Sequence, residues 1–402
     1  MKILQAFKFV LKTSRSQEAC LRKFVGDVRY VWNKALTLQQ EIYHQSKKKL
    51  NYTELCKKLT EWRHSDDTKW LAQSHSQVLQ QTLKDLERAY KNFFENRAAF
   101  PKFKKLGKHD SIRYPQGFKI DADNGRVYLP KLGWVSYRKS REIKGLPKNI
   151  TVSRSGGRWY VSIQTEVAID KPQHSSVSMV GIDLGVARFA TLSDGTVFES
   201  INSFKHHQHQ LARYQRAMSH KVKFSSNWKK SKEKIQRLHA RIANIRRDYL
   251  HKTTTTISKN HAMICIEDLQ VRNMTKIVAG TVANPGKNVS AKSGLNRVIL
   301  DQGWFEFRRQ LSYKQAWRGG DVLLVSPKNT SRTCLHCHYV SKENRKTQSQ
   351  FVCVNCGYNE NADLVGAINI LRAGHAQLAC GELVLLGRSM KQEPTSLAVK
   401  TA

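Results

Sequence analysis

The sequence predicts a multidomain α/β chain on three observations: a length of 402 residues, a hydrophobic period that switches between about 3.6 and 2, and a cysteine quartet interrupting the last α/β stretch. At roughly 150 residues per domain, the length allows two to four domains and at least one substantial core. Lys and Arg number 69 against 31 Asp and Glu, a formal charge of +38. Such self-repulsion is unusual in an enzyme of small neutral metabolites, and it points to a polyanion as partner. With 40% hydrophobic and 9% aromatic residues the chain can fold, which argues against a disordered basic tail.

Taken in order, Ile3, Phe7, Phe9 and Leu11 share one face of an opening strand. Leu21, Phe24, Val28, Val31 and Ala35 then recur at helical spacing behind Ser14 and Gln17, a capping-box pair. Val78, Leu79, Leu83, Leu86, Tyr90 and Phe93 mark a second helix, which ends in the basic segment Phe100-Pro101-Lys102-Phe103-Lys104-Lys105. Between about 112 and 168 the period becomes two, through Val127, Leu129, Ile150, Val152, Trp159, Val161 and Ile163. Ser155-Gly156-Gly157-Arg158 joins the last two strands, so this stretch predicts a small β-barrel or sheet.

Lys171 to Ser178 is a polar linker. Val180 to Leu184, Phe189 to Leu192 and Thr196 to Phe198, with a turn at Asp194-Gly195, predict a three-stranded meander. Residues 201–250 hold 13 Lys and Arg against Glu233 and Asp248, around a helical stripe of Ile235, Leu238, Ile242, Ile245 and Tyr249. A charged helix is ordinarily a solvated face, but an imbalance this large favours nucleic acid. Ala262 to Ile266 is a strand ending at Glu267-Asp268, and 272–297 reads as a mobile loop. A helix at Trp304 to Trp317, a strand at Val322 to Val325 and a helix near Asp363 with Ala367, Ile368 and Leu371 follow. The tail after about 375 is poorly patterned and is expected to be disordered. The longest apolar run, Leu383 to Leu386, is far too short to span a bilayer, and the basic start lacks a small-residue cleavage site, so a cytoplasmic chain is expected.

Cys334-x₂-Cys337, fifteen residues, then Cys353-x₂-Cys356 supplies two knuckles whose thiolates close a tetrahedral shell around one structural Zn²⁺. A filled shell leaves no position for substrate, so this metal is not catalytic. His336 and His338 are read as surface residues, and Cys20, Cys56, Cys265 and Cys380, which lack ligand spacing, as inert thiols. Three acids stand in separate contexts: Asp183 in an apolar strand, Glu267 at the end of another, and Asp363 at the start of a helix. Two-Mg²⁺ phosphodiester hydrolysis needs carboxylates converging from different elements. Each acid alone also admits a plainer reading, an edge residue or a helix-dipole acid, and Asp268 and Asp321 compete for the role.

VGIDLGVARFATLSDG around Asp183, ICIEDLQVRNM around Glu267, TSRTCLHC with FVCVNCG, and NADLVGAINIL around Asp363 together resemble the TnpB proteins of insertion-sequence elements. VRYVWNKAL, LERAYKNFF, FPKFKK, LPKLGWV and DQGWFEFRRQLSYKQAW extend the resemblance over about residues 1 to 375. It implies an RNA-guided DNA endonuclease, similar to type V CRISPR effectors. Its parts would be the start of a wedge β-barrel (1–20), a helical recognition domain (21–110), the rest of the wedge (111–172), a split RuvC nuclease of RNase H fold (179–330 and 359–375), an inserted zinc ribbon (331–358) and a tail (376–402). By the same resemblance Asp183, Glu267 and Asp363 hold two catalytic Mg²⁺, and a monomer carries one guide RNA to double-stranded target DNA beside a transposon-adjacent motif.

By the same resemblance Gln77, Gln80 and Gln116 would pair with adenine edges of the DNA motif, and Tyr52 and Tyr114 would stack or bond to phosphate, although any of these five also reads as an ordinary surface residue. The basic Lys102, Lys104, Lys105, Lys229, Lys230, Arg237, Arg241, Arg246 and Arg247 are expected to neutralise RNA or heteroduplex phosphates. One departure stands out: many relatives have Asn and Ala where this chain has Val365 and Gly366. Two readings without cutting remain open here, an RNA-guided repressor and a protein that only protects the element's RNA. The intact acids weigh against the first.

Overall fold

The computed structural model describes residues 2–170 and 172–379, with short strands at 383–385 and 388–390. The chain divides into two units at Asp170/Lys171. In the first, β1 (Lys2–Lys12) leads into α1 (Arg15–Ser46), and α2 (Tyr52–His64) and α3 (Ser76–Phe94) follow. Then come β2 (Ser111–Tyr114), β3 (Lys119–Asp121), β4 (Arg126–Leu129), β5 (Gly133–Tyr137), β6 (Leu146–Ser155) and β7 (Arg158–Ala168). Ser14 caps α1 with the predicted reciprocal bonds to Gln17. The helix α2 was not anticipated, although Asn51 and Glu54 form a second capping box and Leu55, Leu59 and Trp62 are buried at helical spacing.

The strands form one antiparallel sheet in the order β2-β6-β7-β1-β5-β4-β3. β1 lies at its centre because it pairs with β7 over Lys2 to Val10 and with β5 at Leu11 and Lys12. Its buried residues Phe7, Phe9 and Leu11 join Leu21, Phe24, Val28 and Val31 of α1 and Leu79, Leu83 and Leu86 of α3 in one core. The ladder has two ends, β2 and β3, so what the structure displays is a sheet.

The second unit opens with the meander β8 (Met179–Leu184), β9 (Arg188–Leu192) and β10 (Val197–Glu199), followed by α4 (Ser203–Ser219) and α5 (Ser226–Asn260). β11 (Met263–Glu267), α6 (Val271–Met274), α7 (Val289–Gln302), α8 (Trp304–Arg318) and β12 (Asp321–Val325) come next. The cysteine segment holds β13 (Gln350–Val352) and β14 (Asn359–Asn361), and α9 (Ala362–Ala379) precedes β15 (Leu383–Leu385) and β16 (Arg388–Met390). The sheet order is β10-β9-β8-β11-β12-β15-β16, with β8, β11 and β12 parallel.

Two expectations need correction. The 272–297 segment is not all loop, since α6 opens it and α7 starts at Val289. The tail is ordered at least to Ala379, and β15 extends the sheet by pairing with β12. Cys380 and residues 391–402 lie outside the described residues. Among those described, no helix is long and apolar enough to cross a membrane.

Alternation along the parallel strands sorts their residues onto two faces. Val180, Ile182, Ile264 and Ile266 share a core with Leu250 and Ile257 of α5, Ile299 of α7 and Phe307 and Leu311 of α8. Cys265 and Leu323 pack with Ile370 and Leu371 of α9 on the other face. Gly181 is what lets α9 come down on β8: a methyl there would lie 2.1 Å from the Ala367 carbonyl oxygen and 2.6 Å from the Leu371 nitrogen. Gly181→Ala should therefore force α9 off the sheet at a cost of about 1–3 kcal/mol or more, read as a lower melting temperature and weakened protection of α9 amides from hydrogen exchange. An unchanged melt would show that this approach is looser than it looks.

Candidate active site and metal centre

Asp183 follows Ile182 on β8, and Glu267 follows Ile266 on β11; Ile182 and Ile266 are register partners of the parallel pair. The two carboxylates thus leave the sheet at one level, from neighbouring strands about 4.8 Å apart and toward the α9 face. Asp363 belongs to the first turn of α9, whose N-terminus is capped by Asn361: its side-chain oxygen accepts from the Asp363 and Leu364 nitrogens at 3.0 and 3.3 Å. Parallel strand ends facing a helix start are where α/β sheets place their sites. Of the competing acids, Asp321 sits at the far end of β12, paired with Met263, and Asp268 is held by Arg308 at 2.5 Å.

All three acids are half-buried, and they act on one another. Burial first, then the charges of Glu267 and Asp363, push the Asp183 carboxyl up to about 7. Burial also raises Glu267, against a hydrogen bond from Thr330 Oγ1 to its Oε1 at 2.6 Å and the field of Arg345. Arg345 donates to Asp363 Oδ1 at 3.0 Å and to the Gln348 carbonyl at 2.8 Å. One guanidinium against three carboxylates leaves an anionic excess in a poorly solvated place, which divalent cations fit. The oxygens are not drawn onto a single point: among the described residues, the cysteine quartet is the only group of donors that close. Two ions held 3.5–4 Å apart need that wider spread.

A carboxyl that titrates higher in the fold than in the unfolded chain stabilises fully below the unfolded value, near 4, and loses that contribution as pH rises through about 7. The metal-free protein should accordingly melt at lower temperature as pH climbs from about 4 to about 8. Asp183→Asn should flatten this dependence and Mg²⁺ should offset it at the upper end. Calorimetry checks this; an equal slope in the variant would assign the effect to other groups.

The departure at Gly366 bears on the same carboxylate. A methyl there would approach Asp183 Oδ2 to 3.1 Å, so the glycine leaves that oxygen unpressed. Arg345 and Thr330 were missed by sequence reasoning: neither carries a spacing signal, and only the fold brings them to the acids.

The four thiols of Cys334, Cys337, Cys353 and Cys356 lie within 4.8 Å of one another, with Sγ separations of 3.6 Å for Cys334–Cys356 and 3.5 Å for Cys337–Cys353. A tetrahedron with Zn–S of about 2.3 Å has S–S edges of about 3.8 Å, so the quartet fits zinc. Asn355 Nδ2 donates to Cys337 Sγ at 3.6 Å, a contact that favours the thiolate a metal needs. His336 and His338 are exposed and stand outside the quartet. Cys334, Phe351 and Cys353 share a small core with Ala362 and Val365 of α9, so the ribbon grips the helix that carries Asp363.

The suggested nucleic-acid residues fare unevenly. Lys229, Lys230, Arg237, Arg241 and Arg247 are exposed along α5, Arg237 in an i,i+4 pair with Glu233, and Lys102, Lys105 and Gln116 are exposed in the first unit. Gln77 and Gln80 are half-buried on α3, and Tyr52 starts α2 with Lys84 over its ring at 5.6 Å. Three need correction. Tyr114 is fully enclosed in the first core, so its ring cannot stack on a base. Arg246 is tied to the carbonyl of Leu300 and to buried Asp301, so it staples α5 to α7. Lys104 sits over the Trp32 ring at 4.2 Å, its backbone clasped by Asn33, and burial lowers its ammonium pKa.

Three family models match the chain: OrfB_IS605, described as "Probable transposase", over 162–278; the TNB domain of Cas12f1-like proteins over 304–370; and a helix-turn-helix domain of OrfB_IS605 proteins over 1–48, a stretch that here forms β1 and the single helix α1. An Escherichia coli (strain K12) protein named "Putative RNA-guided DNA endonuclease InsQ" is 61% identical over 402 residues, 100% of both chains. A Streptomyces pristinaespiralis protein named "Putative RNA-guided DNA endonuclease" is 34% identical, covering 98% of this chain and 97% of its own. The fold is similar to the protein in a cryo-EM structure of a Cas12f1–sgRNA–target DNA complex, with a TM-score of 0.57 at 13% identity over 92% of this chain and 98% of that one. With 61% identity sustained over its full length, the chain belongs to the TnpB-like family of OrfB proteins from insertion-sequence elements.

Proposed function

We propose that the protein is an RNA-guided DNA endonuclease whose second unit is a RuvC-like nuclease of RNase H fold. The observation that carries this reading is the level placement of Asp183 and Glu267 on neighbouring parallel strands, beneath a helix whose first turn holds Asp363. Family membership and the +38 charge support the nucleic-acid partners, a guide RNA and the double-stranded DNA it addresses. On this reading 1–20 and 111–172 form the wedge, 21–110 the recognition domain, 179–330 with 359–375 the nuclease and 331–358 the zinc ribbon.

Asp183, Glu267 and Asp363 would hold two Mg²⁺, which when bound activate water and neutralise charge at the scissile phosphate. Thr330 fixes the Glu267 carboxylate, and Arg345 orients Asp363 while offering a cation to a phosphate. The exposed Lys229, Lys230, Arg237, Arg241 and Arg247 would meet guide or heteroduplex phosphates, as would Lys102 and Lys105. Tyr52, Gln77, Gln80 and Gln116 are proposed for the adjacent DNA motif. The test is purified protein with its copurifying RNA, given matched and unmatched DNA with and without Mg²⁺: cutting should require both the match and the metal. Occupancy without product in Mg²⁺ or Mn²⁺ would favour the repressor reading instead.

A further inference from the structure

A cleft of about 710 Å³ opens at the same ends of β8 and β11 as the acids, on the α8 side of the sheet. Leu184, Ile266 and Glu267 belong to its wall, so it adjoins the acid site at the strand ends, on the opposite face of the sheet from the Asp183 and Glu267 carboxylates. Trp304, which is buried, and Phe305 line it from the first turn of α8. Phe305 is 74% exposed, which leaves its ring open at the cleft wall. Arg272, Arg308 and Arg309 also line the cleft, together with Glu267 and Asp268. Arg308 neutralises Asp268 at 2.5 Å and Arg309 is paired to Glu306, which removes repulsion that would otherwise meet a phosphate chain at this rim.

The volume lies within the roughly 300–1,000 Å³ of small-ligand sites, and an exposed ring beside a cation is the combination that binds single strands, ring to base and cation to phosphate. With Arg308 and Arg309 already paired, exposed Arg272 is the cation left for this role. A duplex cannot use it, because its base faces are already stacked. We propose that this cleft receives one unstacked base of the DNA strand being cut, next to the scissile phosphate, with Phe305 as its stacking platform. The inference rests on the nuclease reading and adds to it a positioning subsite: the strand crosses the β8 and β11 ends, its phosphate on the α9 side and a neighbouring base on the α8 side.

The experiment compares the RNA-bound parent with Phe305→Ala and Phe305→Trp on matched DNA in which single bases near the cut are removed one at a time. In the parent, loss of one particular base should slow cutting; in Phe305→Ala cutting should be roughly 5- to 150-fold slower with every base present, and loss of that same base should have no further effect. Phe305→Trp should restore both rate and sensitivity, while guided DNA binding stays within about twofold. An abasic profile identical in parent and Phe305→Ala overturns the proposal. Should the parent cut nothing, the nuclease reading falls, and the affinity of an unstructured oligo-dT strand for the RNA-bound parent and Phe305→Ala still decides the cleft: equal affinities would reject it.

Discussion

Asp183→Ala is expected to abolish guided cutting, by roughly 10³-fold or more, while RNA binding stays within about twofold of the parent. The magnitude follows from position. Asp183 is the acid raised by both of the others, so its carboxylate lies in the field of Glu267 and of Asp363 at once. Removing it takes away one of the three carboxylates that would hold the metal ions, and with it the means of neutralising charge at the scissile phosphate. The same change relieves repulsion in the metal-free fold, so the variant should melt no lower than the parent. Cutting at the parental rate by this variant would show that the catalytic site lies elsewhere; a collapsed melt would assign Asp183 a structural role.

The second large effect is expected from Cys353→Ser. Loss of one thiolate should release the zinc, which metal analysis reads as a fall from one equivalent toward none, and should lower the melting temperature. Cutting should fall by at least about 10- to 100-fold, the usual consequence of disturbing groups that orient a metal ligand. Cys353 and Phe351 share a core with Ala362 and Val365, β14 runs directly into α9, and Asn369 of α9 donates to the Thr330 and Thr333 carbonyls at 2.8 Å. A loosened ribbon therefore moves Asp363 and Thr330 together. Full cutting with zinc gone would show that α9 is held by the sheet alone.

Legibility differed by element for physical reasons. The period-two strands and the stripe of α1 were readable because their apolar spacing matches one geometry and no other. α7 was not, since Ile299 is its only buried apolar residue and Gly294 interrupts it. The basic residues misled most: an arginine written among lysines looks the same whether it reaches water, as Arg247 does, or staples a helix, as Arg246 does. Tyr114 lies in a short strand whose inward face could not be assigned from four residues.

By itself the sequence determined the chemistry available, three acids in apolar contexts and a thiol quartet at ligand spacing, because these depend on residue type and on distances along the chain. Only the tertiary structure decided that Asp183 and Glu267 stand level, that Gly181 admits α9 close enough to bring Asp363, and that Arg345 reaches the acids from the ribbon. Those are separations through space between residues from 18 positions apart, Arg345 and Asp363, to 190, Gly181 and Leu371, set by strand register and helix packing, which no local pattern encodes.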